Sequence, residues 1–274
     1  MLIDSHCHLD FEAFDQDRQA TLTRAKEAGV IRIVNPAIDL VSSRKIVSIV
    51  KGIPEVYAAV GVHPNSATSW DVNTLDELRK LSKEEKVVAI GEIGIDYYRD
   101  RAPRSLQIEI FQKQLDLAKE AALPVIIHTR NQSKEDRRAG EDVLAILKDW
   151  RGETLAGISN ILEHPGVLHS FSDTISAAHR GIELGFYIGI TGPVTFKNAP
   201  GLQSLVADLS IDNLLIETDS PFLTPHPYRG KRNEPAYVRL VADKIADIHN
   251  LGRESVASIT TANAERLFKW RAIH

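Results

Sequence analysis

The sequence predicts an α/β protein with a (β/α)8 TIM barrel, and three observations lead to that prediction. Short apolar runs alternate with longer amphipathic segments along the 274 residues. The short runs number eight, which is the number of strands that closes such a barrel. No glycine-rich dinucleotide fingerprint follows the first run, which disfavours the alternative of an open, doubly wound sheet. We expect a single barrel domain over residues 1–274.

The predicted strands are rich in valine and isoleucine and are bounded by turn residues, as parallel strands that are buried on both faces usually are. They cover residues 2–5, 31–36, 56–62, 87–90, 125–127, 166–168, 186–190 and 214–216.

Amphipathic segments between the strands predict helices over 17–28, 75–81, 105–122, 141–150 and 174–184. Two further helices, over 235–250 and 253–269, are predicted to close the chain. Gly29, Gly152 and Gly185 follow three of these helices at the position of a C-terminal cap. Segment 151–165 is less regular than its surroundings, and we expect an inserted loop or short helix there.

Composition and charge exclude several classes of protein. Hydrophobic residues at 43% and charged residues at 26% are typical of a globular chain. A net charge of −4 excludes a broad basic surface for coating duplex nucleic acid, although a local basic patch is compatible with it. The only cysteine is Cys7, so no disulfide forms within the chain and a reducing compartment is favoured.

The N-terminus lacks the basic segment of a secretory signal, and no apolar run approaches the roughly 20 residues that span a bilayer. We therefore expect a cytoplasmic monomer without a membrane partner.

Metal-binding residue types recur where the predicted strands end, which is where barrels of this class carry their catalytic groups. His6 and His8 are two residues apart, so both imidazoles lie on the same side of an extended strand. The residues that we interpret as metal ligands are His6, His8, Glu92, His128, His169 and Asp219.

Each ligand also has a simpler interpretation when it is taken alone. A single histidine at a strand end is more often a hydrogen-bonded core residue, and Asp219 also fits a helix cap before Ser220. A buried Glu92, however, costs free energy unless it has a partner. Because a closed barrel brings all six residues together, the metal interpretation is the stronger one.

Four imidazoles and two carboxylates exceed the three protein groups of a single catalytic zinc site. They match two divalent ions that share a bridging carboxylate. The mixed nitrogen and oxygen donors suit Zn, Mn, Ni or Fe, whereas Mg prefers sites with more oxygen. Two-ion centres of this kind are typical of hydrolases.

Four stretches carry a resemblance to a known family: LIDSHCHLD at 2–10, GEIGIDY at 91–97, PVIIHTR at 124–130 and LLIETDSP at 214–221. With YRGKRNEP at 228–235, they resemble the TatD family of metal-dependent hydrolases, amidohydrolase-like barrels usually described as deoxyribonucleases. The resemblance covers essentially the whole chain. The sequence NQSKE after Arg130 and the long separation of His128 from His169 depart from the family pattern, and both departures bear on substrate choice.

The resemblance implies a role for each ligand. One ion would be held by His6, His8, Glu92 and Asp219. The second would be held by Glu92, His128 and His169, with Glu92 as the bridge. Glu92 and Asp219 are thereby the predicted catalytic residues, and Asp219 would accept a proton from the attacking water.

Further polar residues suggest that the substrate contains phosphate, which arginine binds in a bidentate fork. The residues that we expect to bind substrate are His63, Arg130, Arg229 and Lys231. Lys231 and its neighbour Arg232 also fit solvated loop charges, and His63 also fits a supporting role in the Pro64 turn. Tyr97 and Tyr98 either stack on a base or pack at the barrel rim, and the sequence leaves both open.

The sequence therefore predicts a dinuclear-metal hydrolase of phosphodiester bonds that trims single-stranded or frayed DNA ends, because a pocket at the top of a barrel suits a strand terminus. One alternative is hydrolysis of an ester or amide on the same centre, as in a D-aminoacyl-tRNA deacylase. Another is a non-catalytic protein that binds metal or nucleic acid, which the complete ligand set disfavours.

Overall fold

A computed structural model of the protein describes residues 1–99, 101–133, 135–154, 163–268 and 270. Its parallel strands form one sheet in sequential order, and the predicted (β/α)8 barrel is confirmed. The strands are β1 Leu2–Asp4, β2 Val30–Pro36, β3 Val56–Val60, β4 Val87–Asp96, β5 Val125–Arg130, β6 Gly166–Leu168, β7 Tyr187–Ile190 and β8 Leu214–Ile216.

Helices cover the outside of the barrel and pack on its apolar strands. In the described part of the chain they are α1 Arg18–Glu27, α2 Leu40–Val50, α3 Thr74–Leu81, α4 Arg104–Ala121, α5 Arg138–Thr154, α6 Ile175–Glu183, α7 Pro200–Asp208, α8 Val238–His249 and α9 Arg253–Phe268. None of these described helices has the length and apolar character that crossing a bilayer requires.

The ring closes between β1 and β8. The backbone N–H of Ser5 donates to the carbonyl oxygen of Ile216 at 3.2 Å, and Cys7 and Ser220 form a parallel bridge just beyond. The carboxyl ends of these two strands, which carry His6, His8 and Asp219, are therefore neighbours.

Strand β4 extends to Asp96, six residues beyond the predicted end at 90. In the sequence, Gly91 and Gly94 interrupt the apolar run and indicate a strand end. In the structure they let β5 approach closely: a Cβ at Gly94 would overlap the carbonyl oxygen of His128, and the φ of Gly94 is +141°. Glycines in strands often mark such close approaches. The extension carries Glu92 and Asp96 into the barrel mouth.

Two helices, α2 and α7, are absent from the sequence prediction. Helix α2 is rich in valine and isoleucine, whose branching favours strands. A capping box starts it: the Asp39 carboxylate accepts the backbone N–H of Ser42 at 2.7 Å, and the Ser42 hydroxyl accepts that of Asp39 at 2.9 Å. Helix α7 begins with Pro200, which suits a first helical turn.

The predicted cap at Gly152 is wrong, because α5 continues through it to Thr154. A glycine inside a helix costs only about 1 kcal/mol relative to alanine, so a helix can continue through one. Gly29 and Gly185, with φ of +86° and +88°, do follow their helices as predicted. Most of the insertion predicted within 151–165 lies outside the described residues.

The long loop after β8 is anchored on α1 by ion pairs. Arg24 binds Glu234 at 2.7 Å, and Arg232 binds Asp17 at 2.7 Å. Within the loop, the Asn233 side chain donates to the carbonyl oxygens of Thr218 at 2.8 Å and Phe222 at 2.6 Å. Arg232, which also fits a solvated loop charge in the sequence, is thus paired with Asp17 and anchors the loop.

We expect Gly94→Ala to destabilise the protein by roughly 3 kcal/mol, because the added methyl group must displace the backbone of β5. Urea unfolding in the presence of a chelator measures this cost without a contribution from bound metal. Gly52→Ala is the matched control, since nothing lies within 4 Å of a Cβ there. Equal stability of the two variants would contradict the close approach of β4 and β5.

Candidate metal centre

The barrel brings the six expected ligands together at its mouth. His6 and His8 follow β1, Glu92 lies within β4, and His128 lies within β5. His169 directly follows β6, and Asp219 lies three residues beyond β8. His6, His8, Glu92 and His169 are buried, whereas His128 and Asp219 are partly accessible from the mouth. Their function as ligands stays a prediction.

One cluster has the spacing of donors around a single cation. The Nε2 atoms of His6 and His8 are 3.2 Å apart, and His6 Nε2 lies 3.4 Å from Glu92 Oε2. Asp219 Oδ1 completes the cluster, 3.7 Å from His6 Nε2 and 3.5 Å from His8 Nε2. Metal–ligand bonds of about 2.0–2.2 Å in a tetrahedral site place donors roughly 3.3–3.6 Å apart. The donor set and its spacing therefore fit a divalent cation.

The second cluster surrounds the other oxygen of Glu92. Glu92 Oε1 lies 2.8 Å from Nδ1 of His128, 3.8 Å from Nε2 of His63 and 3.9 Å from Nε2 of His169. The two oxygens of one carboxylate thus face two different groups of imidazoles. This is the arrangement that a carboxylate shared between two cations requires.

Two buried carboxylates that the sequence analysis did not select stand behind the histidines. Glu217 Oε1 lies 2.9 Å from His169 Nδ1, so that Nε2 is the atom that faces Glu92 and Asp219. Asp96 Oδ2 lies 3.2 Å from His128 Nε2. Carboxylates in such positions fix the tautomer and orientation of a ligating imidazole. The sequence feature that could have identified them is a second acidic residue in each motif: Asp96 follows Glu92 in GEIGIDY, and Glu217 precedes Asp219 in LLIETDSP.

Asp4 joins the two strands that carry the first cluster. Its carboxylate accepts the backbone N–H of Thr218 at 2.9 Å, the hydroxyl of Thr218 at 2.6 Å and the backbone N–H of His6 at 3.3 Å. These three bonds fix the position of β1 against the segment that leads to Asp219.

The carboxylates of the centre control the charge of the histidines. Burial lowers the pKa of His169, but Glu217, Glu92 and Asp219 outweigh that effect and raise it to about 10. Burial also opposes protonation of His128, whose contacts with Asp96 and Glu92 raise its pKa to about 9. Without a cation, protonated imidazoles therefore balance the acidic groups of the centre.

His63 behaves differently from the other histidines. Burial and the neighbouring His128 lower the pKa of His63 to about 3, so its imidazole is neutral. Its Nδ1 accepts the backbone N–H of Asn65 at 3.0 Å, which leaves the proton on Nε2. His63 thus presents a donor to the centre.

Of the expected substrate-binding residues, the structure places His63 and Arg130 in the lining of a cavity of about 690 Å³ above the centre. Arg229 and Lys231 are not among its lining residues: the Arg229 guanidinium lies 4.3 Å from the ring centre of Phe196, and Lys231 Nζ lies 5.8 Å from that of Tyr228. Arg99 and Arg101, which sequence reasoning missed, do line the cavity. The sequence feature that could have identified them is the pair of arginines at 99 and 101, just beyond the GEIGIDY motif and Tyr98.

The two tyrosines that follow β4 have different environments. Tyr97 is buried and its hydroxyl donates to Asp142 at 2.5 Å, so it packs at the rim. Tyr98 is about half exposed and lines a smaller cavity of about 320 Å³ that shares Arg130 and Phe171 with the first.

We expect Glu217→Gln to weaken divalent-metal affinity by about tenfold to a hundredfold, because the amide no longer holds His169 with a full negative charge. Titration of the chelated protein with Zn²⁺ or Mn²⁺ measures this loss. Asp208→Asn is the matched control, since Asp208 contacts His179 at 2.6 Å on the surface, away from the centre. Unchanged affinity in Glu217→Gln would show that Glu217 does not position His169.

Comparison with known proteins agrees with the geometry of the centre. The family model described as "TatD related DNase" matches residues 3–269 of this chain. The uncharacterized metal-dependent hydrolase YabD of Bacillus subtilis (strain 168) is 43% identical over 269 residues, which is 98% of this chain and 99% of YabD. The uncharacterized metal-dependent hydrolase YcfH of Escherichia coli (strain K12) is 38% identical over 271 residues, 97% of this chain and 95% of YcfH.

A solved structure is also similar along almost its whole length. The crystal structure of YjjV, a TatD homologue from Escherichia coli K12, superposes with a TM-score of 0.87 at 30% identity and covers 98% of both chains. The family model, over residues 3–269, likewise covers the chain from β1 to α9. This chain therefore belongs to the TatD family of metal-dependent hydrolases.

Proposed function

We propose that this protein hydrolyses phosphodiester bonds with two divalent ions and trims single-stranded or frayed DNA ends. The observation that carries the proposal is the position of Glu92, buried between two groups of imidazoles at the base of a cavity that arginines line. The family description as DNases supports a nucleic-acid substrate. The names of the curated relatives leave the substrate open.

The chain offers a complete set of donors for two ions. His6, His8, Glu92 and Asp219 would hold one, and Glu92, His128 and His169 would hold the other. When bound, ions such as Zn, Mn, Ni, Fe or Mg supply positive charge that polarises a phosphodiester and makes water more acidic.

Asp219 is placed to act as the general base. Burial disfavours its charged form, but the hydrogen bond with His8 and the charges of His169 and His6 hold the pKa of Asp219 below its usual value. The carboxylate is therefore ionised at neutral pH, which is the form in which it can accept a proton from water. Its backbone N–H donates to the carbonyl oxygen of His6 at 2.8 Å, which fixes its position.

His63 lies near Oε1 of Glu92, whereas Asp219 lies beside the histidines that face Oε2, and His63 can donate a proton where Asp219 can accept one. Its neutral imidazole carries the proton on Nε2, 3.8 Å from Glu92 Oε1. An N–H at this place can donate to a phosphate oxygen as negative charge develops there. Arg130 can hold a neighbouring phosphate oxygen with its bidentate guanidinium.

The size of the cavity favours a chain end over the middle of a duplex. At about 690 Å³ it lies within the roughly 300–1,000 Å³ of small-ligand sites. Such a cavity takes one or two nucleotides, and an unpaired terminus enters it more easily than a helix.

A panel of substrates tests the proposal. Metal-loaded protein is incubated with linear single-stranded DNA, circular single-stranded DNA, a charged tRNA and bis(p-nitrophenyl) phosphate. We expect the linear strand to be shortened from an end, the small diester to be cleaved and the circle to stay intact. Deacylation of the charged tRNA above its uncatalysed rate, without cleavage of the DNA, would favour an ester hydrolase instead. Binding without turnover of any substrate would favour a non-catalytic protein.

We expect Asp219→Asn to lower turnover by about a hundredfold to ten-thousandfold, because an amide cannot accept the proton from water. Metal binding should fall much less, since the amide oxygen still ligates and Glu92 and the histidines are intact. Turnover and metal content are measured on the same preparation at saturating metal.

The wild-type protein is the reference in that experiment, and we expect it to hold two divalent ions per chain. Metal analysis that never exceeds one ion would contradict the shared centre. A variant that keeps both ions and loses less than about tenfold in rate would show that Asp219 is a ligand only, with His63 as the next candidate base.

A further inference from the structure

Three arginines lie together on one side of the cavity. Arg99 and Arg101 follow β4, Arg130 ends β5, and all three line the cavity. Among the described residues no carboxylate pairs with any of them, whereas Arg24 and Arg232 are paired. Unpaired guanidiniums at the mouth of a site, in a chain of net charge −4, indicate an anionic ligand.

The turn that carries these arginines is held by a residue that also contacts the candidate metal centre. The Arg130 guanidinium lies 4.0 Å from the ring centre of Tyr98, and that of Arg99 lies 5.7 Å from the same centre. Asp96 Oδ1 accepts the backbone N–H groups of Tyr98 and Arg99, both at 2.9 Å, while Asp96 Oδ2 contacts His128. One carboxylate thus fixes the cationic turn relative to the centre.

The other side of the mouth is aromatic. Phe11 follows β1, and Phe222 and Leu223 follow β8; all three line the same cavity. Phe222 is 51% exposed, and its ring lies 5.9 Å from that of Phe11 in a T-shaped arrangement. In a ring of eight sequential strands, β8 and β1 lie opposite β4 and β5. The aromatic side therefore faces the arginine side across the metal centre.

We propose that the cavity binds the end of a single-stranded polynucleotide in one orientation, with the phosphodiester backbone over Arg99, Arg101 and Arg130 and a base stacked on Phe222. The inference deepens the proposed function and rests on it. Guanidiniums bind successive phosphates, and an aromatic ring stacks on a base of any sequence. The bond to be cleaved then lies between the two sides, above Glu92.

The arrangement selects unpaired ends. At a blunt duplex end the terminal base is held in its pair and stacked on the next base, so it cannot turn onto Phe222 while its own backbone lies over the arginines until the end frays. We therefore expect single-stranded and frayed ends to bind more tightly than blunt duplex ends.

Binding of a defined probe tests the two sides separately. The probe is a fluorescein-labelled, phosphorothioate-linked strand of four thymidines, added to the metal-loaded full chain and followed by anisotropy at several salt concentrations. A gel run after each titration checks that the probe is still intact. Metal content and circular dichroism are recorded for every variant.

The arginine variants should change both affinity and salt dependence. Arg99→Ala with Arg101→Ala should raise the dissociation constant roughly tenfold. The slope of log affinity against log salt should fall by about 0.7 for each lost phosphate contact. Arg253→Ala is the control, an exposed arginine that lines a different cavity beside Met1.

The aromatic variant should change affinity only. Phe222→Ala should raise the dissociation constant about fivefold or more without altering the salt slope, because stacking involves no counterion release. A probe whose terminal residue is abasic should be insensitive to this substitution. Leu251→Ala is the control for loss of an exposed apolar side chain.

Each outcome decides a separate question. Wild-type affinity and salt slope in the arginine variants, an unaltered affinity in Phe222→Ala, or equal binding of blunt duplex would overturn the inference. So would a loss of binding confined to Arg229→Ala and Lys231→Ala. If the variants behave as expected but no phosphodiester is cleaved, the proposed function fails while the binding mode stands.

Discussion

The burial of Glu92 is the constraint around which the barrel mouth is organised. An ionised carboxylate taken out of water costs several kcal/mol unless charge or hydrogen bonds compensate. The compensating groups are imidazoles from the ends of β1, β3, β5 and β6, none of which is a neighbour of Glu92 in the sequence. The carboxylate can be accommodated only when the barrel is closed. Closure of the barrel and assembly of the candidate site therefore depend on the same contacts between Glu92 and the imidazoles.

Sequence reasoning succeeded where a residue type at one position, or a short repeating pattern of apolar residues, is enough to identify a structural feature. The alternation of apolar runs and amphipathic segments predicts the barrel, and the strand ends predict that six residues, from His6 to Asp219, lie close together at its mouth. It failed where pairing with a distant segment decides the outcome. Strand β4 continues through Gly91 and Gly94 because β5 lies against it, and Glu217 and Asp96 acquire their roles from histidines far along the chain.

The lining of the cavity differs in part from the residues that the sequence predicts to bind substrate. Arg229 and Lys231 lie eight and ten residues after the LLIETDSP motif and are not in the cavity lining, because the loop turns back to α1. Arg99 and Arg101 reach the cavity because β4 is longer than its apolar run. The position of the candidate ligands thus depends on where the strands end, whereas the lining of the cavity depends on how far each loop extends.

The anchoring of the loop after β8 has a consequence for how such enzymes diversify. Its far end is fixed by Arg24, Asp17 and Arg232, and its near end follows Asp219, so Phe222 and Leu223 lie on a span fastened on both sides. Substitution of Phe222 and Leu223 changes the surface that the cavity mouth presents to a ligand. The ion pairs at the far end of the loop and the position of Asp219 stay unchanged. Residues in this part of the loop can therefore be substituted independently of the candidate ligands, so substrate specificity can change there while the barrel mouth keeps its arrangement.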